Sequence, residues 1–340
     1  MSDLDIEQSD QLLTYLRNTR RIGADETPVM HNLAGGVSNR TVLVERPAGE
    51  AWVMKQALAR LRVKVDWISD PRRVHLEAKG LRWLEKLAPK GTITPLIFED
   101  HEHHLLAMQA VPKPHDNWKE LLLAGDLQTD HIKQFARLLA TIHRTTWQQR
   151  DTLSREFADA EFFESLRVEP YYLYTASQVP EAAPFIHDLV RATRQRKLTI
   201  VHGDYSPKNI LIYQNKLILL DHEVIHFGDP GFDLGFSMTH LLSKAHHLPS
   251  HRARFAEATL TYWKIYRDTL NDVPWRNELE PIAVRHTMAC LLARVAGRSP
   301  LEYLADSEKS RQRALIIQLM SQPPLTVADL VATFVTHISR

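Results

Sequence analysis

Residues 199–223 read TIVHGDYSPKNILIYQNKLILLDHE. Two apolar strand candidates, TIV and KLILL, each deliver polar groups at their ends. His202, Gly203, Asp204 and Asn209 follow the first, and Asp221 and Glu223 follow the second. Polar residues at strand ends ordinarily make turns. These residue types also suit chemistry. A carboxylate at Asp204 can accept a proton from an attacking hydroxyl, and the carbonyl oxygen of Asn209 can bind a hard cation. If the backbone stays extended beyond KLILL, Asp221 and Glu223 fall on one side. Three oxygen ligands, Asn209, Asp221 and Glu223, suit Mg²⁺, which is commonly held by one or two carboxylates together with substrate phosphates. Read this way, the stretch is a phosphoryl-transfer site.

The rest of the chain bounds that reading. Its 340 residues are enough for about two lobes, each with its own core. With 44% hydrophobic and 24% charged residues and a formal charge of +1, bulk charge makes no case for a nucleic-acid or membrane-surface partner. The opening MSDLDIEQSDQLLTYL lacks the basic-then-apolar order of a signal peptide, and no run approaches about 18 apolar residues. A cytoplasmic protein is expected. The single cysteine, Cys290, excludes an internal disulfide, and its setting in TMACLLA reads as core.

The first third reads as strands. TVLVE (41–45) and WVMKQA (52–57) form one hairpin, PLIFE (95–99) and HLLAMQAV (104–111) a second. Between them SDPRRVHLEAKGLRWLEKLA carries a cap at Ser69 or Asp70, Pro71 in the first turn, and a stripe of Val74, Ala78, Leu81 and Leu84, which predicts a helix. After Pro112 and Pro114 the pattern changes to long helices, such as 130–146 with Ile132, Phe135, Leu139 and Ile142 on one face. The expected division is a lobe over 1–112 and a larger one over 113–340.

HGDYSPKN resembles the catalytic loop of the aminoglycoside phosphotransferase, choline kinase and methylthioribose kinase group, small-molecule relatives of protein kinases. LLDHE resembles the D-x-E form of their metal-binding motif, and the Asp-to-Asn interval is that of the protein-kinase catalytic loop. The resemblance covers about residues 33–240. It implies an α+β, two-lobed protein-kinase-like fold, with an antiparallel sheet in a small nucleotide-binding lobe, a mainly helical second lobe, and nucleotide between them. It also implies ATP and Mg²⁺ as cofactors and a small-molecule hydroxyl as acceptor.

Further roles follow from the same resemblance. Lys55 lies on the strand of the phosphate-binding lysine, and Glu77 on the helix of its carboxylate partner, with Glu85 as rival. LAGGVSNRTVLV resembles the phosphate-covering loop without a full G-x-G-x-x-G, offering Gly35, Gly36, Ser38 and Asn39. The backbone of Gln109 and Val111 stands where the kinase hinge bonds adenine. His202 and Asp233 of GDPGFDLGF would brace the catalytic loop, with Asp229 a lesser candidate.

Other features have plain readings. HEHH (101–104), at a hairpin tip, reads as a solvated turn, and the basic run ARLRVKVDW (59–67) as a solvated loop. His143 and His222 read as packing or supporting groups. The aromatic stretch EFFESLRVEPYYLY reads as core, with Tyr171 or Tyr172 offered to the acceptor. Residues 281–304 carry Arg285, Arg294 and Arg298 against Glu302 alone. That balance suits a sugar-like, neutral or anionic alcohol, with Arg294 as the chosen contact. An aminoglycoside- or choline-type kinase with a cationic acceptor, a nucleotide-binding module without turnover, and a metal-dependent hydrolase are the alternatives.

Overall fold

The computed structural model describes residues 4–33, 36–62 and 67–339. By its internal contacts the chain divides into two compact units. The first takes in the chain up to Lys86, Ile93–His115 and the three residues Asp221–Glu223; the second takes in Leu87–Thr92, Asp116–Leu220 and the chain from Val224 onward.

In the first unit β1 (Val29–Asn32), β2 (Asn39–Glu45), β3 (Ala51–Ala57), β4 (Leu96–Asp100) and β5 (Leu105–Gln109) form an antiparallel sheet in the order β1-β2-β3-β5-β4. Both expected hairpins are present. Alternation along β3 sends Trp52 and Met54 into a core with Val42, Val44, Phe98 and Leu105, closed by Leu12, Tyr15 and Leu16 of α1 (Ser9–Asn18). Lys55, one residue out of phase with Met54, belongs to the other face.

The predicted helix is α2 (Arg73–Leu87), and Val74, Ala78, Leu81 and Leu84 are all buried. It starts after Pro71, where Asp70 Oδ1 accepts the Arg72 N–H at 2.8 Å. The β4–β5 tip is less loosely solvated than HEHH suggests. Although His101 is exposed, its ring stacks on His75, and both lie against Glu99, which also takes Arg82 at 2.6 Å.

The second unit is mainly helical: α3 (Trp118–Leu123), α4 (Thr129–Gln148), α5 (Arg150–Glu156), α6 (Glu161–Phe163), α7 (Tyr174–Gln178), α8 (Ala183–Gln195), α9 (Pro230–His247), α10 (Arg252–Leu270), α11 (Leu279–Ala296), α12 (Asp306–Ser321) and α13 (Val327–Ile338). The predicted stripe of α4 is buried, and so is Cys290 on α11. Residues Glu164–Leu173 form a π-helical segment containing Pro170. Short strands β6 (Asp116–Asn117), β8 (Ile210–Tyr213) and β9 (Lys216–Leu219) make one small sheet; β7 (Thr199–Val201) pairs with β10 (His226–Gly228). Among the described residues no helix is long and apolar enough to cross a membrane.

Candidate active site

In the first unit the charges meet at the sheet face opposite α1. Lys55 Nζ donates to Glu77 Oε1 at 2.6 Å and to Asp221 Oδ1 at 3.0 Å. Glu77 is fully buried whereas Glu85 is exposed, so α2 turns Glu77 toward the lysine. Burial works against the Lys55 ammonium, but Asp221 and Glu77 outweigh it and raise its pKa. Burial pushes the Glu77 carboxyl up to about 7, against the pull of the Lys55 charge.

Glu223 departs from the expectation of an extended strand end. β9 stops at Leu219, and Asp221 adopts a left-handed backbone, φ +68°, a conformation costly for a residue other than glycine. Asp221 and Glu223 consequently meet different cations. Glu223 Oε2 accepts Arg73 Nε at 3.2 Å and Asn39 Nδ2 at 3.3 Å, while Arg73, wholly buried, also donates to the carbonyls of Ser38, Leu58, Ser69 and Asp70. Sequence reading missed Arg73. The signal available was its position four residues before Glu77, on the same helical face.

The remaining first-unit expectations are placed as follows. Asn39 faces Glu223, and Ser38 Oγ accepts from Asn39 Nδ2. A Cβ at Gly36 would stand 3.3 Å from Asn39 O, a close approach that favours glycine. Gly35 lies outside the described residues, as do residues 63–66 of the basic run. The Gln109 N–H is already committed to Pro95 O at 2.9 Å, so it is not an available hinge donor; Val111 is buried.

In the second unit the HGD turn is held from below. Gly203 has φ +78°, and a Cβ there would come within 2.7 Å of Val224 Cγ2, so only glycine fits. Buried Asp233, in the first turn of α9, accepts the N–H groups of His202 at 2.7 Å and Gly203 at 2.8 Å. Burial opposes that carboxylate, yet His143 and His202 hold its pKa below the ordinary value. Asp229 instead caps α9 through the Gly231 N–H and pairs with Arg196.

Asp204 is oriented by a residue that the sequence reading did not name. Arg167, from the π-helical segment, pairs with Asp204 Oδ2 at 3.0 Å and donates through Nε to Gly203 O at 2.6 Å. Asn209 Nδ2 donates to Asp204 O at 3.0 Å, which leaves a carbonyl oxygen as the other polar atom of that side chain. Of the two tyrosines, Tyr172 is buried and bonded to His286 and Cys290, as a core residue is. Tyr171 Oη accepts from Arg294 Nη1 at 3.1 Å. Arg285 and Arg298 are paired with Asp188 and Glu169, so Arg294 is the member of the trio without a carboxylate among the described residues.

Divalent-ion chemistry fits the donors: Asp221 and Glu223 in the first unit and Asn209 in the second are hard oxygen groups, and Asp221 is 24% exposed. Glu223, held by Arg73, fits less well.

The pattern of the Phosphotransferase enzyme family matches residues 29–271. Methylthioribose kinase of Pectobacterium atrosepticum is 23% identical over 294 residues, 76% of this chain and 73% of that one. Methylthioribose kinase 1 of Oryza sativa subsp. japonica is 21% identical over 268 residues, and the match spans 68% of this chain but 61% of the rice enzyme. Among solved structures, an amicoumacin kinase in complex with AMP-PNP and Ca²⁺ has a TM-score of 0.59 at 14% identity, over 87% of this chain and 89% of that chain.

Proposed function

Since the chain belongs to the phosphotransferase enzyme family and is a small-molecule kinase with a protein-kinase-like fold, we propose that it transfers the γ-phosphoryl group of ATP to a hydroxyl of a small sugar-like, neutral or anionic acceptor. One observation supports this most. Lys55, Glu77 and Asp221, up to 166 residues apart in sequence, converge within 3.0 Å, and Lys55 stays charged where phosphate oxygens need neutralising.

The roles follow from the geometry within each unit. Asp204, aimed by Arg167 and steadied through the turn that Asp233 holds, takes the proton of the acceptor hydroxyl as the new oxygen–phosphorus bond forms. The bond from the γ-phosphorus to the bridging oxygen breaks, and ADP carries away the electron pair. Lys55 binds non-reacting phosphate oxygens, and Glu77 fixes the lysine. Asp221, Glu223 and Asn209 would hold Mg²⁺, which supplies charge neutralisation to the phosphates when bound.

The test is to incubate the protein with Mg-ATP and a panel of small alcohols and follow ADP. Acceptor-dependent ADP supports the proposal. ADP without acceptor dependence indicates a hydrolase, and nucleotide binding without ADP a binding module; either result overturns it.

A further inference from the structure

Lys244 lies on α9, about three turns beyond Asp233, and is wholly buried. Among the described residues no carboxylate lies within ion-pairing distance of its ammonium. Among those residues its one hydrogen bond is a long one, 3.5 Å to His240 O, and it sits over the ring of Tyr303 at 5.3 Å. A buried, unpaired ammonium is among the costliest groups a core can hold.

Its surroundings add cations. Among the described residues Arg294, largely buried, donates only to neutral partners, the hydroxyl of Tyr171 and the carbonyl and hydroxyl of Ser299, and its Nε has no partner. Tyr303 Oη likewise has none. Lys119 is a third cation, itself paired with Glu302 and Glu120. Burial, with Lys119 and Arg294 adding to it, lowers the Lys244 pKa to about 7, and buried His240 is lowered by burial and by these same cations.

The cluster is connected to the proposed base by one aromatic ring. Tyr171 has Arg294 on one contact at 5.6 Å and Arg167, the partner of Asp204, on another at 5.9 Å. Edge contacts from Tyr171 to Phe236 and from Phe236 to His240 continue the row along α9.

We propose that Lys244, Arg294 and Lys119, with Tyr303, form an anion subsite that holds a carboxylate or phosphate group of the acceptor while Asp204 addresses its hydroxyl. This rests on the kinase reading above and narrows the acceptor to a small hydroxylated acid. An oxyanion brings the missing counter-charge to Lys244 and accepts from Arg294 Nε and Tyr303 Oη, three donors that the fold leaves short of acceptors.

Two measurements on the full chain test it. Inorganic phosphate and malonate are titrated separately by calorimetry into the wild type and the Lys55→Ala, Lys244→Met, Arg294→Lys and Lys264→Met variants. Binding equal in wild type and the exposed control Lys264→Met, but weakened about tenfold or more in Lys244→Met and Arg294→Lys, supports the subsite. The tighter probe then assigns phosphate or carboxylate. Binding that survives in Lys244→Met, or that is lost only in Lys55→Ala, overturns it.

Turnover is then compared for alcohol pairs that differ by the anionic group, glycerate against glycerol and a sugar phosphate against its sugar. A preference for the anionic member that Lys244→Met abolishes through KM supports the proposal, and equal use of both members overturns it. If no alcohol is phosphorylated, the kinase reading fails by itself, because the calorimetric result is independent of turnover.

Discussion

Lys55 in the first unit and Lys244 in the second are both withdrawn from water, and their neighbours have opposite signs. Lys55 has two carboxylates within 3.0 Å, and its pKa rises; Lys244 has none at that range among the described residues, and burial with Lys119 and Arg294 takes its pKa down to about 7. Burial alone disfavours both ammonium ions. The partners decide the outcome. A charge already balanced by the protein can approach a ligand without changing the fold's electrostatics much. A charge left unbalanced lends its cost to whatever anion arrives.

Mutations sharpen this contrast, and the largest effect is expected at the reacting group. Asp204→Asn keeps the side-chain shape and removes the base, so kcat should fall by about 10²–10⁴-fold while nucleotide affinity persists. Near-normal turnover would remove Asp204 from the mechanism. Lys55→Ala should lower kcat/KM for nucleotide by about 10²-fold in a protein that still melts cooperatively. An unchanged nucleotide KM and kcat would show that its carboxylate pairs are structural only.

Arg167 acts through Asp204, so Arg167→Met should depress kcat by about tenfold with the nucleotide KM unmoved, and Arg167→Lys should restore part of it. A parallel rise in the nucleotide KM would show instead that the whole loop had shifted. The two motif acids should then separate. Asp221→Ala should raise the Mg²⁺ concentration needed for half-maximal activity more than Glu223→Ala does, while Glu223→Ala, which strands buried Arg73, should cost about 3 kcal/mol in denaturant unfolding. Equal Mg²⁺ shifts with no loss of stability would return Glu223 to the metal.

The smallest effect is a pH slope. Folded Lys244 gives up its proton near pH 7, whereas the unfolded chain keeps it up to the ordinary value of 10.5. The unfolded state therefore binds more protons between these limits, and stability rises with pH across that window. Lys119 and Arg294 bias the group toward neutrality, Glu302 and Glu120 oppose them, and buried His240, whose pKa is lowered, adds no charge in this window. Melting curves should show wild type gaining on Lys244→Met from pH 7 to 10. A parallel pair of curves would mean that Lys244 stays charged.

Much of this chain was legible because its chemistry is local in sequence. Asp204 and Asn209 sit on one loop, and Asp221 and Glu223 follow β9 within four residues, so their spacing is visible along the chain. Strand alternation and the α2 stripe follow from periods of about two and 3.6 residues, which put Met54 and Lys55 on opposite faces and turn Val74 and Ala78 inward. The N-terminal α1 was also written there, in the helically spaced stripe of Leu12, Tyr15 and Leu16.

The sequence by itself determined the two polar boxes, the order of elements and the lysine on its strand, since each depends on neighbours a few residues away. Only the tertiary structure decided which charges became partners. Arg72 and Arg73 are adjacent and chemically identical, yet one side chain is 64% exposed and the other 0%, because helical phase sets Arg73 beside Glu223. Arg167 lies in a π-helical turn where the usual period fails, and Lys244 on a helix buried on every side, so no polar face announces either. Electrostatic energy depends on distance in space and on the depth of burial, and for residues a hundred positions apart neither is carried by spacing along the chain.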